Sequence, residues 1–86
     1  MQWTEIREHF PHQWLLIEAV EAHSAEDQRV LDDIVVVQSF PDWVSAWNGY
    51  KKLHFQNRQR ELYVLHTDRE NLDIEESQSL GLRVAS

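Results

Sequence analysis

The stretch Trp14-Leu15-Leu16-Ile17-Glu18-Ala19-Val20 decides the fold of this chain. If its backbone is extended, Leu16 and Val20 point to one side, while Leu15 and Ile17 point to the other. A strand that is apolar on both faces must be covered on both faces, which favours a position at the centre of a sheet. We therefore expect the other segments either to pair with this strand or to cover it.

Two more segments predict strands. Residues 29–40 contain the run Ile34-Val35-Val36-Val37, and four β-branched residues in succession favour a strand because their side chains crowd a helix. Asp32 and Asp33 predict either a bulge or the polar mouth of a hairpin, followed by a regular strand from Ile34 onward. Residues 24–28 are the polar connection to the first strand. Residues 61–67 predict the third strand.

Two helices are predicted as well. Thr4 caps a short helix over residues 5–9, which ends before Pro11 because the residue before a proline disfavours helical backbone. A longer helix takes Ser39 or Asp42 as its N-cap and ends near Phe55. Its apolar stripe consists of Trp43, Ala46, Trp47, Tyr50 and Leu53. Gly49 weakens this helix and indicates that a strand approaches it closely there.

Basic side chains gather toward the end of the longer helix, namely Lys51, Lys52, His54, Arg58 and Arg60. Cations are favourable at that position because the C-terminal end of a helix carries the negative pole of its dipole. This effect, together with solvation, is the interpretation that we favour. An anion-binding site is the alternative.

The order of the elements is helix, strand, strand, helix, strand, which gives an α+β fold with a ββαβ core. A short link favours an antiparallel hairpin between the first two strands, and a helical crossover favours a third strand parallel to the second. The sheet order 2-1-3 is preferred, with 1-2-3 as the alternative. We expect residues 1–74 to form a single domain and residues 75–86 to form an acidic, frayed tail.

The composition argues against several classes of function. The 86 residues include no cysteine, which excludes disulfides, thiolate nucleophiles and sulfur-based zinc sites. A formal charge of −7 opposes binding to the phosphates of nucleic acids. With no phosphate-binding glycine motif, no cofactor is expected. No apolar run is long enough to span a membrane and no signal peptide is recognisable, so we expect a cytoplasmic protein without a membrane partner.

Candidate chemistry rests on Glu18, Tyr63 and His66. A carboxylate and an imidazole that meet on a sheet can act as a general base with its orienting partner, so these residues define a low-ranked small-molecule or enzyme site. A metal site is not expected. His9 and His12 have a spacing of three, but Pro11 lies between them and breaks the helical geometry that would let both rings converge.

Self-association is the better supported expectation. With strand order 2-1-3, the second strand lies at an edge, and its segment Ile34, Val35, Val36 and Val37 presents unpaired backbone groups to another chain. The longer helix covers only one face of the sheet. The short helix, the segment around Leu72 and Ile74, or a second subunit must cover the other. We therefore expect a homodimer through the strand edge or the sheet face, with Trp3 as a candidate interface residue.

The chain also resembles a known group of proteins. The order Phe10-Pro11-His12-Gln13-Trp14, a Val-rich strand, a helix with Tyr50 and Leu53-His54, and the segment at residues 61–67 looks like a family of small uncharacterised bacterial proteins, common in cyanobacteria. It is also similar in plan to short bacterial ββαβ domains of unknown function. The resemblance implies a setting and no chemistry: an adaptor or antitoxin-like protein with a partner encoded nearby.

Overall fold

The computed structural model describes residues 1–72 of the chain, so the predicted tail at residues 75–86 lies outside the described part. Two helices and three strands form in the order that the sequence predicts. Their bounds are α1 Trp3–His9, β1 Trp14–Ala25, β2 Gln28–Phe40, α2 Trp43–Gln56 and β3 Leu62–His66. Neither helix in this part of the chain has the length and apolar character needed to cross a lipid bilayer.

The three strands form one sheet in the order β2-β1-β3, which confirms the predicted order 2-1-3. Both neighbours of β1 run antiparallel to it, so β2 and β3 are parallel to each other, as the helical crossover predicts. Glu18 lies opposite Val35 on one side and opposite Leu62 on the other. The opening stretch is therefore the central strand, with a neighbour along both of its edges.

Each face of the sheet carries its own apolar cluster. On one face, Leu15 and Ile17 pack with Trp3 and Ile6 of α1, and Leu72 adds to the same cluster. On the other face, α2 covers the residues that point the opposite way, namely Leu16, Leu62 and Val64. The face that α2 leaves free is thus covered by two of the three predicted candidates, α1 and the segment around Leu72.

Trp3 lies in the core rather than at an interface. Its side chain is almost fully buried against the α1 face of the sheet, and its indole N–H donates to the Arg69 carbonyl oxygen at 2.8 Å. The prediction that Trp3 is an interface residue was wrong, because Trp3 and Ile6 together cover this face of the sheet. α1 also begins two residues earlier than predicted, with Gln2 rather than Thr4 as its N-cap.

The β1-β2 hairpin is longer and less regular than predicted. Its turn consists of Glu26 and Asp27 alone, both with positive φ, the backbone of a tight hairpin turn whose twist matches the flanking strands. The predicted connection at residues 24–28 was therefore too long. Register shifts show a bulge at Asp32, one of the two predicted alternatives, a second at Val37 and a third at Val20 of β1. The second bulge contradicts the expectation of a regular strand from Ile34 onward.

The two ends of α2 follow their local chemistry. The Asp42 carboxylate accepts a hydrogen bond from the Ser45 backbone N–H at 2.8 Å and caps the helix, which decides between the two predicted N-caps. This bond lowers the pKa of Asp42. Ala46 and Tyr50 of the predicted stripe are fully buried. Gly49 lies against the Phe40 ring at the end of β2, which is the close approach that its position predicts.

Candidate functional site

The three predicted site residues do not come together. Tyr63 belongs to the cluster on the α1 face, whereas Glu18 and His66 alternate onto the α2 face. Glu18 pairs with Leu62 and His66 pairs with Trp14, so four residues of strand separate them. At about 3.3 Å per residue, this separation is roughly 13 Å. A carboxylate and an imidazole at that distance cannot act on the same bond.

Glu18 forms an ion pair with a residue that the sequence analysis assigned to the basic cluster. Arg60 Nη2 donates to Glu18 Oε1 at 2.7 Å, and both side chains remain partly exposed. The hydrogen bond from Arg60 lowers the pKa of Glu18 and raises that of Arg60. A general base works best with a pKa close to the working pH. A carboxylate whose pKa is lowered from 4.5 is therefore poorly suited to that role.

Tyr63 takes part in a network that fastens the hairpin to β3. Its hydroxyl donates to Glu61 Oε2 at 2.6 Å. The same carboxylate accepts two hydrogen bonds from Arg29, from Nε at 2.9 Å and from Nη2 at 2.8 Å. Two parallel bonds from a guanidinium to a carboxylate give strong directional specificity. The network therefore fixes the hairpin end of β2, where Arg29 lies, relative to the start of β3.

His66 lies at the turn that follows β3. Its ring contacts Trp14 edge-on at 5.0 Å, and its Nδ1 accepts a hydrogen bond from the Asp68 backbone N–H at 3.1 Å. Asp68 also lies 2.6 Å from Nδ1 of His12. These contacts organise the turn. Within residues 1–72, no group of three or more His, Asp or Glu side chains is arranged to hold a metal ion.

The aromatic stripe of α2 is self-stacked. Trp47 stacks on Trp43 at 5.8 Å and on Tyr50 at 5.3 Å, and Tyr50 in turn stacks on His54. Each of these rings thus packs on its neighbours along the helix, so the stripe serves packing, as its helical spacing favours.

The predicted self-association edge on β2 is shorter than its sequence indicates. Ile34 is buried, Val36 and Val37 are half-buried in the two opposite clusters, and only Val35 is exposed. The Ile34 backbone N–H donates to the Met1 carbonyl at 3.1 Å, and the Met1 nitrogen donates to the Ile34 carbonyl at 2.9 Å. The first residue therefore occupies the edge at this position.

Beyond this occupied position, little of the edge is regular. Gln2 Nε2 donates to the Asp32 carbonyl at 2.8 Å, which extends the cover of the edge by two residues. On the other side of Ile34, the bulge at Val37 breaks the ladder. Bulges and covered backbone groups are the usual means by which edge strands avoid pairing with other chains. Main-chain pairing is therefore the weaker of the two predicted modes of self-association.

The open part of the sheet face is a better candidate. Val20, Val30 and Val35 each neighbour a residue of the α1-side cluster along the chain, respectively Ala19, Leu31 and Ile34. Since side chains alternate along a strand, Val30 and Val35 point to the opposite face, while Val20 occupies the bulge of β1 between Ala19 and Glu21. The three valines lie outside the cluster that α2 covers and are 56%, 37% and 46% exposed. We refer to Val20, Val30 and Val35 as the valine surface.

Of the valine surface, the sequence predicts only Val35 as an association residue; Val20 and Val30 are not predicted. Val20 was placed in the central strand and Val30 at the start of β2, but the position of α2 over the sheet could not be derived from the pattern. The sequence therefore carried no signal that separated Val20 and Val30 from covered strand residues.

Comparison with protein-family models, with curated proteins and with solved structures gives no match. The resemblance to small bacterial proteins accordingly stays a prediction. The positions of the side chains are thus the basis for a functional proposal.

Proposed function

We propose that this protein is a non-enzymatic protein-protein interaction module that acts as a homodimer through the valine surface. The observation that carries this proposal is the exposure of three valines on the part of the sheet that α2 leaves uncovered. Exposed apolar side chains on an uncovered sheet face are candidates for an interaction site. An adaptor or antitoxin-like role, with a further partner protein, is part of the same proposal.

A two-fold axis near Val35 would place the same surface of two copies face to face. Six valines that each bury about half of their side chain gain roughly 1 kcal/mol apiece. The total of about 6 kcal/mol exceeds the lower end of the 4–15 kcal/mol that association costs by only about 2 kcal/mol, which corresponds to a dissociation constant of tens of millimolar. A dimer that forms below about 1 mM therefore needs further contacts around the valines. We therefore expect a weak dimer that forms reversibly and depends on protein concentration.

Sedimentation equilibrium between about 10 μM and about 1 mM covers the range in which such a dimer would form. Val35→Thr keeps a β-branched side chain of similar volume and replaces one methyl group with a hydroxyl, so we expect the fold to persist and the dimer to dissociate. Val44→Thr is the matched control, since Val44 is also exposed but lies on α2. A wild-type protein that remains monomeric throughout this range would refute the homodimer.

The alternative of a small enzyme or small-molecule-binding protein receives no support from the predicted residues. Glu18 is held in an ion pair with Arg60, and Tyr63 lies on the opposite face of the sheet. His66 accepts a hydrogen bond from the Asp68 backbone N–H in the turn after β3. Each of these groups is used in holding the fold together.

A further inference from the structure

The basic side chains without an acceptor are gathered at one place. Among residues 1–72, four arginines donate hydrogen bonds to oxygen atoms of other residues, namely Arg7, Arg29, Arg60 and Arg69. Lys51, Lys52 and Arg58 are the remaining cations, and they form no hydrogen bond or ion pair with the described part of the chain. Every unpaired lysine or arginine of this part thus lies at the C-terminal end of α2 or just after it.

These cations lie beside the two most exposed large apolar side chains of residues 1–72. Val44 and Phe55 are 63% and 67% exposed. At 100° per residue, Val44, Lys51, Lys52 and Phe55 fall within one arc of about 100° on α2. The segment at residues 43–60 contains no aspartate or glutamate. We refer to Val44, Lys51, Lys52, Phe55 and Arg58 as the basic face of α2.

Two of the cations are held against aromatic rings. Lys51 Nζ lies 5.7 Å from the centroid of the Trp47 ring, and Arg58 Cζ lies 5.5 Å from that of Phe55. Such contacts are favourable through the negative face of the ring. They leave the charges available, because a ring does not neutralise a cation as a carboxylate does. The surface therefore combines positive charge with exposed apolar area. The helix dipole alone would account for the positive charge but not for the apolar area beside it.

We propose that the basic face of α2 binds an acidic, amphipathic segment of a partner protein. This inference rests on the proposed function only in that it names a partner for an interaction module. Val44 and Phe55 are eleven residues apart, or about 16 Å along the helix axis, which is about three turns of a partner helix. Apolar side chains of that segment would contact Val44 and Phe55, and its carboxylates would pair with Lys51, Lys52 and Arg58.

Charge complementarity favours a short acidic segment over other anionic partners. The whole chain has a formal charge of −7, so the surface outside the basic face is more acidic than this total. A nucleic-acid strand or a membrane plane would extend beyond the basic face and meet that acidic surface. A segment of about eleven residues can be confined to the basic face.

The test is an NMR titration of the ¹⁵N-labelled protein with a synthetic helical peptide of glutamate and leucine, its leucines at alternating spacings of three and four. We expect shift changes centred on residues 44–58 and weaker binding at higher salt. Lys52→Gln should weaken binding about two- to five-fold, since an exposed ion pair contributes modestly. Gln28→Glu is the matched control, because it changes the net charge by the same amount at the exposed hairpin end and should have less effect.

If Phe55 is the apolar anchor of this surface, Phe55→Ser should weaken binding by about tenfold. Equal weakening by Lys52→Gln and Gln28→Glu would overturn the proposal, since net charge alone would then account for binding. Shift changes outside residues 44–58, no binding, or tighter binding to phosphatidylglycerol vesicles or oligothymidylate would also overturn it. Val35→Thr separates the two proposals: it should abolish the dimer and leave peptide binding intact.

Discussion

Replacement of Gly49 by alanine tests the packing between α2 and the end of β2. Glycine within a helix costs about 1 kcal/mol relative to alanine, so propensity alone predicts that Gly49→Ala stabilises the protein. The structure predicts the opposite. A Cβ atom at position 49 would lie 2.6 Å from Cζ of Phe40 and 3.2 Å from its Cε1. Carbon atoms normally pack at about 3.5–4.0 Å, so the ring would have to move by about 1 Å.

The two effects can be separated by a second substitution. Overpacking typically costs about 1–3 kcal/mol, so Gly49→Ala should lower the free energy of unfolding by up to about 2 kcal/mol after the gain in helix propensity. Phe40→Leu shortens the obstructing side chain. In that background, Gly49→Ala should raise the free energy of unfolding by about 1 kcal/mol. The sign of the effect therefore reverses, which gives a coupling of about 1–3 kcal/mol.

Urea denaturation of the wild-type protein, both single variants and the double variant, followed by circular dichroism, measures this coupling. The cycle subtracts the cost of Phe40→Leu itself. Two results would refute the reasoning: stabilisation by Gly49→Ala in the wild-type background, or the same change in unfolding free energy in both backgrounds. Either result would mean that the Phe40 ring moves aside at little cost.

Three further predictions concern the turn, the ion pair and α1. Glu26→Asn with Asp27→Gly should raise the free energy of unfolding by about 1 kcal/mol, because both positions have positive φ; an unchanged urea midpoint would contradict this. Glu18→Gln should cost about 0.5–1 kcal/mol near pH 7. The Arg60 hydrogen bond lowers the pKa of Glu18 from 4.5. The stability difference between wild type and Glu18→Gln should therefore persist above pH 4.5 and vanish as the pH falls through the folded-state pKa of Glu18. Chemical denaturation at several pH values measures this difference, and a difference that stays constant with pH would contradict the prediction. Ile6→Ala should cost about 2–5 kcal/mol, because Ile6 is fully buried against the sheet, and a loss below about 1 kcal/mol in thermal or urea unfolding would mean that α1 does not cover this face.

The sheet order could be predicted because the apolar pattern of β1 itself indicates a central position. A strand that is apolar on both faces is unfavourable at an edge, so the order 2-1-3 followed from residues 14–20 and the crossover rule. The turn was harder to place. Glu26 and Asp27 lack the glycine that usually marks a two-residue hairpin turn, so a polar run at residues 24–28 was read as a longer connection.

The candidate site could not be predicted because it depends on register. Glu18 pairs with Leu62, which turns Tyr63 to the opposite face; a shift of one residue would have placed Glu18 and Tyr63 on the same face. The strand patterns alone did not give the register between β1 and β3. The partner of Glu18 was hidden for the same reason. Arg60 lies in the loop before β3 and was assigned to the end of α2.

The two proposed surfaces can be distinguished by their response to salt. Two copies with the same formal charge of −7 repel each other, so salt should screen that repulsion and strengthen a dimer formed through the valine surface. An acidic segment is attracted to the basic face of α2, so salt should weaken its binding. Changes of the same sign in both processes would mean that one common surface, or the net charge alone, governs them. Opposite changes would require two surfaces of different chemistry, as the positions of Val35 and Lys52 imply.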